Sequence, residues 1–524
     1  MGDTIEGSIQ QQQSHYKIII LGAGFSGLGM AIQLKQAGEQ DFVILEREAG
    51  VGGTWHVNRY PGCACDVQSH LYSFSFEPNP NWSRMFAPQQ EIESYLQHCA
   101  EKYGLYSHIQ CNTEIVSMRW QETDNCWLIK DGGAKEYRAK IVISGLGGLS
   151  TPAYPDIKGI EKFQGKTFHS QHWDHQYDLR NKRIAVIGTG ASAIQFVPQI
   201  QPQASKLDLY QRTPVWIVSK PDRAIASLEK KLFRNFPPLQ KVFRGLLYSI
   251  LESRVFGFAF HPKLMNVVKA LALRHLKNQV KDKMLRRRLT PSYTIGCKRI
   301  LLSDDFYPAV SQSNVELVTD GIKEVTANGI ITSDGTERKA DVIIYGTGFR
   351  ANDPIPPGMV FGRNGRDIAE LWKDGPEAYK GTTVMGFPNF FMLMGPNTGL
   401  GHNSMIYMIE SQIHYVLEAI RCMGQKQLAT VEIKAEVQQE YNQLLQKKLT
   451  SAVWTAGGCQ SWYLHANGKN VTLWPGFTWQ FRRQTKHFDD QVYHVNPEPL
   501  LEVLTRQMQQ PTSVSTTFAK ETTE

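Results

Sequence analysis

Twice in this chain a short apolar run breaks into closely spaced glycines and resumes at helical spacing. In the first case Y-K-I-I-I-L leads into Gly22-Ala23-Gly24-Phe25-Ser26-Gly27, followed by Leu28, Ala31, Ile32 and Leu34 on one helical face. Gly22 permits the tight turn, Gly24 lets backbone approach a pyrophosphate, and Gly27 lets the helix pack on the strand. The first amides of the helix then face the phosphates. The next strand, D-F-V-I-L-E-R, ends in Glu46, a carboxylate suited to a ribose diol. In the second case K-R-I-A-V-I leads into Gly188-Thr189-Gly190-Ala191-Ser192-Ala193, with glycine, glycine and alanine at the three key positions. Its next strand, L-D-L-Y-Q-R-T, ends in Arg212 and Thr213. Glu46 and Arg212 each lie 24 residues beyond the first glycine of their loop, so one unit is repeated with opposite terminal charge. The acid suits the free diol of FAD, and the arginine suits the 2′-phosphate that separates NADPH from NADH.

Such loops need parallel strands behind them, which predicts an α/β protein with two nested Rossmann-like dinucleotide-binding domains, and the helical-looking sequence between them reads as a helical insertion. Two glycine-rich strand ends, Ile141 to Pro152 and Asp341 to Phe349, read as the points where the chain crosses between domains. The expected division is 16–150 and 385–505 for the FAD domain, and 151–220 and 291–384 for the NADPH domain. The helical insertion is expected at 221–290, with disordered ends at 1–15 and 506–524.

Composition is ordinary for a protein with a sizeable core, 41% hydrophobic and 20% charged over 524 residues. Much of the +8 net charge falls in helical-looking sequence, as at Lys230, Lys231 and Arg286-Arg287-Arg288, and reads as a solvated helix face rather than a nucleic-acid surface. No apolar run is long enough to span a membrane, and the polar N-terminus does not read as a secretory signal. The eight cysteines are scattered, Cys63 and Cys65 being the closest pair, which reads as reduced thiols in a cytoplasmic protein. The histidines show no metal-ligand spacing, so no metal is expected.

Between the two loops lies F-Q-G-K-T-F-H-S-Q-H-W-D, Phe163 to Asp174, too dense in His, Trp and Gly to read as a strand. Through Phe163, Gly165, His169, Trp173 and Asp174 it fits the fingerprint F-x-G-x-x-x-H-x-x-x-W-[P/D]. A further pattern is met by Gly52-Gly53-Thr54-Trp55, Tyr60-Pro61-Gly62 and Asp66. On these residues the chain resembles the class B flavoprotein monooxygenases and, within them, the Baeyer–Villiger monooxygenases, from about residue 16 to about residue 505.

The resemblance implies that the fingerprint links the domains, with His169 and Trp173 coupling domain rotation to cofactor position rather than His169 acting as a base. In G-C-K-R-I-L-L-S-D-D-F-Y, Arg299 matches the family's essential arginine, Asp66 the acid that orients it, and Lys298 a second contact to the 2′-phosphate. Gly53, Thr54, Trp55, Asp66 and Tyr72 are implied near the flavin, and the backbone of Val116 near its adenine. Trp462 in G-G-C-Q-S-W-Y matches a residue on the nicotinamide side and reads equally as core. The amides of Gly395 to Ser404 are implied to face the flavin's pyrimidine end, with His402 packing that loop. Ser144-Gly145-Leu146-Gly147 departs from the usual Ala-Thr-Gly, and the insertion carries little family signature, so the substrate is left open. Basic and partly amphipathic, the insertion also suits contact with membranes or lipid-like substrates.

The implied reaction inserts one oxygen atom from O2 next to a ketone carbonyl, giving an ester or lactone through a C4a-peroxyflavin, with sulfoxidation as a side activity. The expected partner is a small-molecule ketone, with the protein a monomer or homodimer. The N/S-oxygenating flavin monooxygenases are the neighbouring alternative, but they typically lack the Trp173-Asp174 ending and the arginine of Lys298-Arg299. Disulfide reductases share the two-nucleotide plan, yet Cys63-Ala64-Cys65 has the wrong spacing for their redox pair. A non-catalytic flavin sensor is disfavoured by the intact Arg299, Asp66 and both loops.

Overall fold

A computed structural model describes residues 14–351 and 355–498, so the expected tail at 506–524 and most of the expected disordered N-terminus lie outside the described residues. The first sheet is built around Ser14–Leu21, which pairs in parallel with Phe42–Leu45 on one side and Glu136–Ser144 on the other. Its strand begins at Ser14, inside the N-terminal stretch expected to be disordered, because Ser14 and His15 pair with Tyr137 and Arg138. Beyond these lie Ile109–Gln110 at one edge and Cys126–Asp131, Ile115–Gln121 and Val360–Phe361 toward the other. Phe390–Met392 joins the sheet beside Val142 to Ser144. Ile18, Ile19 and Ile20 are fully buried, as a strand covered on both faces requires. The helix Phe25–Gln36 covers one face and is itself packed against Met405–Lys426. The other face buries Trp127 and Phe390, and the Trp127 indole N–H donates to the Pro388 carbonyl at 2.9 Å.

The second sheet is wholly parallel, in the order Val315–Val318, Lys206–Tyr210, Arg183–Ile187, Val342–Tyr345, Lys166–His169. Its last strand lies within the fingerprint segment, which the sequence reading had excluded from strand. The excluded composition applies only to the flanks: Lys166 to His169 form an edge strand with a single neighbour, and the Trp173 region follows as a turn. The two sheets are nested α/β units. The chain leaves the first sheet after Ser144 and re-enters it at Val360–Phe361, well before the boundary at 385 that the sequence suggested. Ile355, Met359 and Val360 already belong to the first sheet's core, and apolar packing sets that return. The outgoing and returning strands touch, as Ala153 N–H donates to the Gly348 carbonyl at 2.9 Å.

Residues 221–290, expected as a helical insertion, hold the helices Ser227–Asn235, Pro237–Ser253, Met265–Gln279 and Lys283–Leu289. Two buried polar anchors fix it. The Arg244 guanidinium donates to the carbonyls of His70 and Ser73 at 2.7 and 2.9 Å. The buried Glu252 carboxylate accepts from Asn403 Nδ2 at 2.6 Å and Thr478 Oγ1 at 2.8 Å. Among the described residues no helix is long and apolar enough to cross a membrane.

Strand and helix meet most closely at Gly27, where a Cβ would lie 1.8 Å from the Gly22 carbonyl oxygen. Gly27→Ala must therefore push the helix off the turn. The expected result is a lowered melting temperature in thermal unfolding, and an unchanged one would show that the helix accepts the added carbon.

Candidate active site

Three segments remote in sequence converge on one guanidinium. Arg299 Nη2 donates to Asp66 Oδ2 at 2.6 Å and its Nε to the same oxygen at 3.1 Å, while Nη1 donates to the Leu400 carbonyl at 3.1 Å. Asp66 follows the Tyr60-Pro61-Gly62 turn, Leu400 belongs to the Gly395–Ser404 loop, and Arg299 is separated by Ile300 from the short strand Leu301–Leu302, which pairs with Ile217–Val218. The Arg299 and Asp66 side chains remain 29% and 38% exposed, so the pair fronts solvent rather than being sealed in the core. The Asp66 charge raises the Arg299 pKa against the opposing effect of burial, and the group is cationic throughout the working pH range. The buried Tyr463 lies beside Arg299, and burial pushes its phenol up to about 12. Tyr463 and the Leu400 carbonyl were not singled out in the sequence, because nothing local links positions so distant from 299.

The expected flavin-side residues gather near this pair. The Trp55 indole N–H donates to the Tyr72 hydroxyl at 3.2 Å, and the Tyr72 ring stands edge-on to Phe25 at 5.2 Å. Gly53, at φ 55°, sits so close that a Cβ there would lie 2.8 Å from Gly24 Cα. These two glycines leave a bare backbone cradle over the first loop, which the Thr54 and Trp55 turn closes. The helix Phe25–Gln36 has no side-chain cap and no acid in its first turn, so its amides are available to an anion. Ser26 is buried at this helix start. Glu46 is buried, and its carboxylate accepts from the amides of Ala23 at 2.6 Å and Glu48 at 2.9 Å, which fixes it beside the loop.

The second loop repeats the arrangement. Gly188 has φ 108°, and a Cβ there would meet the Gly346 carbonyl oxygen at 2.4 Å, so the third glycine cluster closes over the turn. Thr189 and Ala193 are buried, and Thr189 Oγ1 donates to the Thr213 carbonyl at 3.4 Å. Gly190, Ala191 and Ser192 complete the turn ahead of the helix Ala193–Ile200, which has no side-chain cap. Arg212 is exposed, and Lys298 lies near enough that burial and the Arg212 charge both lower its pKa. Two cations held together in this way favour a doubly charged anion between them.

The fingerprint forms the seam between the sheets. Trp173 packs on Phe168 at 5.1 Å and Phe196 at 5.3 Å, and Phe196 in turn meets Tyr60 at 6.1 Å. Tyr60 hydroxyl donates to Gln195 Oε1 at 2.9 Å, and a Cβ on Gly62 would collide with the Gln195 carbonyl oxygen at 2.6 Å. Gln195 is thus a seam residue that its sequence surroundings did not reveal. Gly165 leaves no room for a Cβ between Phe163 and the Asp341 carbonyl, and Asp174 pairs with Lys166 at 2.6 Å. His169 is fully buried, its Nδ1 accepting from the Gln171 amide at 3.1 Å, and burial holds its pKa down to about 4. A neutral, enclosed imidazole suits packing at the seam.

The remaining expected residues lie in varied surroundings. Val116 is 49% exposed on Ile115–Gln121, whereas the backbone beside Glu46 and Glu48 belongs to Thr113 and Asn112. In the Gly395–Ser404 loop, the amides of Asn397 and Gly399 donate to the carbonyls of Val471 and Thr472, so they are not free to face a ligand. The His402 side chain is fully enclosed, with Glu252 3.7 Å away. Trp462 is 47% exposed against the Tyr463 ring, so it is not core. Cys297 and Cys459, 162 residues apart, form a disulfide, so the reading of all eight cysteines as reduced thiols is corrected for these two. Sequence spacing carries no information about such a pair, which ties the segments of Arg299 and Tyr463 together.

Residues 15–360 match the flavin-binding monooxygenase-like family. A Baeyer-Villiger monooxygenase of Pseudomonas aeruginosa is 61% identical over 487 residues, covering 93% of this chain and 92% of that protein. The cyclohexanone monooxygenase of Rhodococcus sp. Phi1 bound to NADP+ superposes with a TM-score of 0.83 at 26% identity, over 93% of this chain and all 100% of that one. OTEMO in complex with FAD and NADP gives a TM-score of 0.82 at 25% identity, over 92% of this chain and 99% of that one.

Burial holds both His169 and His70 down to about 4, whereas an unfolded histidine titrates near 6.5. Their contribution to stability is therefore complete above about pH 6.5 and is lost as pH falls toward 4, because the unfolded chain takes up protons that the folded one refuses. Thermal unfolding between pH 7 and 5 should show this fall, and His169→Asn should reduce the pH slope by about one proton. An unchanged slope would mean that His169 is protonated in the fold.

Proposed function

The chain belongs to the Baeyer–Villiger monooxygenases within the flavin-binding monooxygenase-like family, and from that premise we propose that Arg299, held by Asp66, is the charge that drives oxygen insertion beside a ketone carbonyl. The protein is an FAD-containing, NADPH-dependent monooxygenase. We assign the FAD domain to the first sheet and the NADPH domain to the second, with the seam at Tyr60-Pro61-Gly62, the fingerprint and Gln195.

The glycine cradle, the uncapped helix and the buried Glu46 suit the pyrophosphate and ribose of FAD, with Trp55 and Tyr72 walling the flavin side. The turn at Gly188 with Arg212 and Lys298 suits the pyrophosphate and 2′-phosphate of NADPH. FAD held there and reduced by NADPH would supply the two electrons that activate O2, one atom of which goes to the ketone while the other leaves as water. Attack on a ketone carbonyl places negative charge on the former carbonyl oxygen. Arg299 meets that charge with a guanidinium oriented in advance by a carboxylate and a carbonyl, so little reorganisation is needed. Asp66 accepts from two guanidinium nitrogens and so fixes the plane of the group. No proton need move at Arg299, because a guanidinium stays protonated throughout the working pH range. Tyr463 and Trp462 roof the same space, and the Cys297–Cys459 bridge holds that roof to the arginine's segment. The observation that carries the reading is the three-way hold on Arg299. It also favours ketones over the amines and sulfides of the neighbouring class, whose oxidation develops no carbonyl oxyanion.

Arg299→Ala should lower ester formation from a ketone by about 10²–10³-fold or more, while flavin content and anaerobic reduction by NADPH stay at wild-type levels. Gas chromatography of product and absorbance of the flavin check the two halves. Ester formed at the wild-type rate would remove Arg299 from the reaction. Arg212→Ala with Lys298→Ala should raise the KM for NADPH at least about tenfold, consistent with two lost phosphate contacts, and leave the KM for NADH unchanged.

A further inference from the structure

Among the described residues, 21 large hydrophobic side chains are strongly exposed, and 14 of them lie between 221 and 290. Water-facing surfaces scatter such residues singly, and their concentration on neighbouring helices marks a face that something covers. On Pro237–Ser253 the exposed Val242, Leu246 and Ile250 recur every four residues, turned away from the buried Gln240, Leu247 and Leu251. On Met265–Gln279 the exposed Val267 and Leu271 repeat the pattern, turned away from Met265, Ala272 and Leu276. The turn that joins these helices exposes Phe256 and Phe260, which gather around Phe477 at 5.3 and 5.5 Å.

The charge on the same segment is one-sided. Residues 221–290 hold 16 Lys and Arg against four Asp and Glu, although the whole chain is only +8. Every one of the four acids is already engaged. Asp222 pairs with Arg84 and Glu229 with Arg223. Glu252 is buried against Asn403 and Thr478, and Asp282 caps Lys283–Leu289. Lys231, Lys241, Lys263, Lys269 and Arg274 stand exposed on these helices and the turn between them.

We propose that this insertion docks the enzyme on the surface of an anionic lipid bilayer. The apolar stripes enter the boundary between headgroups and acyl chains, the phenylalanines of the turn anchor at the interface, and the lysines and arginines meet lipid phosphates. A second copy of the chain is the poorer occupant, because a two-fold contact would press two sets of these cations together. The proposal concerns peripheral binding and does not depend on the oxygenation chemistry.

The test is co-sedimentation of the full-length holoenzyme with vesicles of phosphatidylcholine and phosphatidylglycerol, or of phosphatidylcholine alone. The enzyme should pellet with the mixed vesicles, bind the neutral ones far less, and be released by added salt. The triple variant Val242→Asp, Leu246→Asp, Ile250→Asp should bind at least about tenfold more weakly, as should Lys241→Glu with Lys269→Glu and Arg274→Glu. Both should keep wild-type flavin content and ketone-dependent NADPH use, which shows that they fold. No pelleting with anionic vesicles at low salt, or unchanged pelleting of the triple variant, overturns the proposal. A dimer that ignores vesicles and dissociates in the triple variant assigns the face to a second copy instead.

Discussion

A guanidinium helps an oxygen-transfer reaction only while it stays charged and stays in place. Water would let Arg299 wander, whereas burial alone would hold it as an uncompensated charge. Asp66 meets both conditions, since its carboxylate accepts two hydrogen bonds from the group and raises its pKa. The Leu400 carbonyl fixes the remaining direction. Such a pair need not stabilise the fold, and its partial exposure argues against a large contribution. In the proposed reaction its value is orientation.

The rest of the architecture follows from bringing Asp66, Arg299 and Leu400 together. Asp66 belongs to the first sheet's side of the seam, Arg299 to a strand pair of the inserted unit, and Leu400 to the returning chain. Nesting one nucleotide unit inside the other puts all three at a common boundary. The seam is narrow where Gly62 lies against Gln195, while Gly188 against Gly346 and Gly165 against Phe163 are close contacts inside the second unit. Trp173 and Phe196 supply the seam's apolar filling.

Both glycine loops were legible from sequence because Gly22, Gly27 and Gly188 answer local steric or backbone demands that a side chain would violate. The insertion was legible from its helical periodicity and charge. Arg299 and Asp66 were legible only through a resemblance, since 233 residues separate them and neither has a distinctive neighbourhood. Tyr463, Leu400, Gln195 and the Cys297–Cys459 bridge were invisible for the same reason: their roles arise from contacts between remote segments. Lys166–His169 was misread because an edge strand with one neighbour tolerates residues that a central strand would not. The return of the chain at Val360, rather than near 385, was hidden because that strand is only two residues long and core packing, not pattern, fixes it.

The most direct test of this account is a double-mutant cycle on Arg299→Ala and Asp66→Ala, read as kcat/KM for ester formation from a ketone. If Asp66 acts by orienting Arg299, the double variant should be no slower than Arg299→Ala alone, so the coupling should equal the whole effect of the Asp66 substitution. Losses that simply multiply would contradict it, because Asp66 would then act on the reaction independently of the guanidinium it holds.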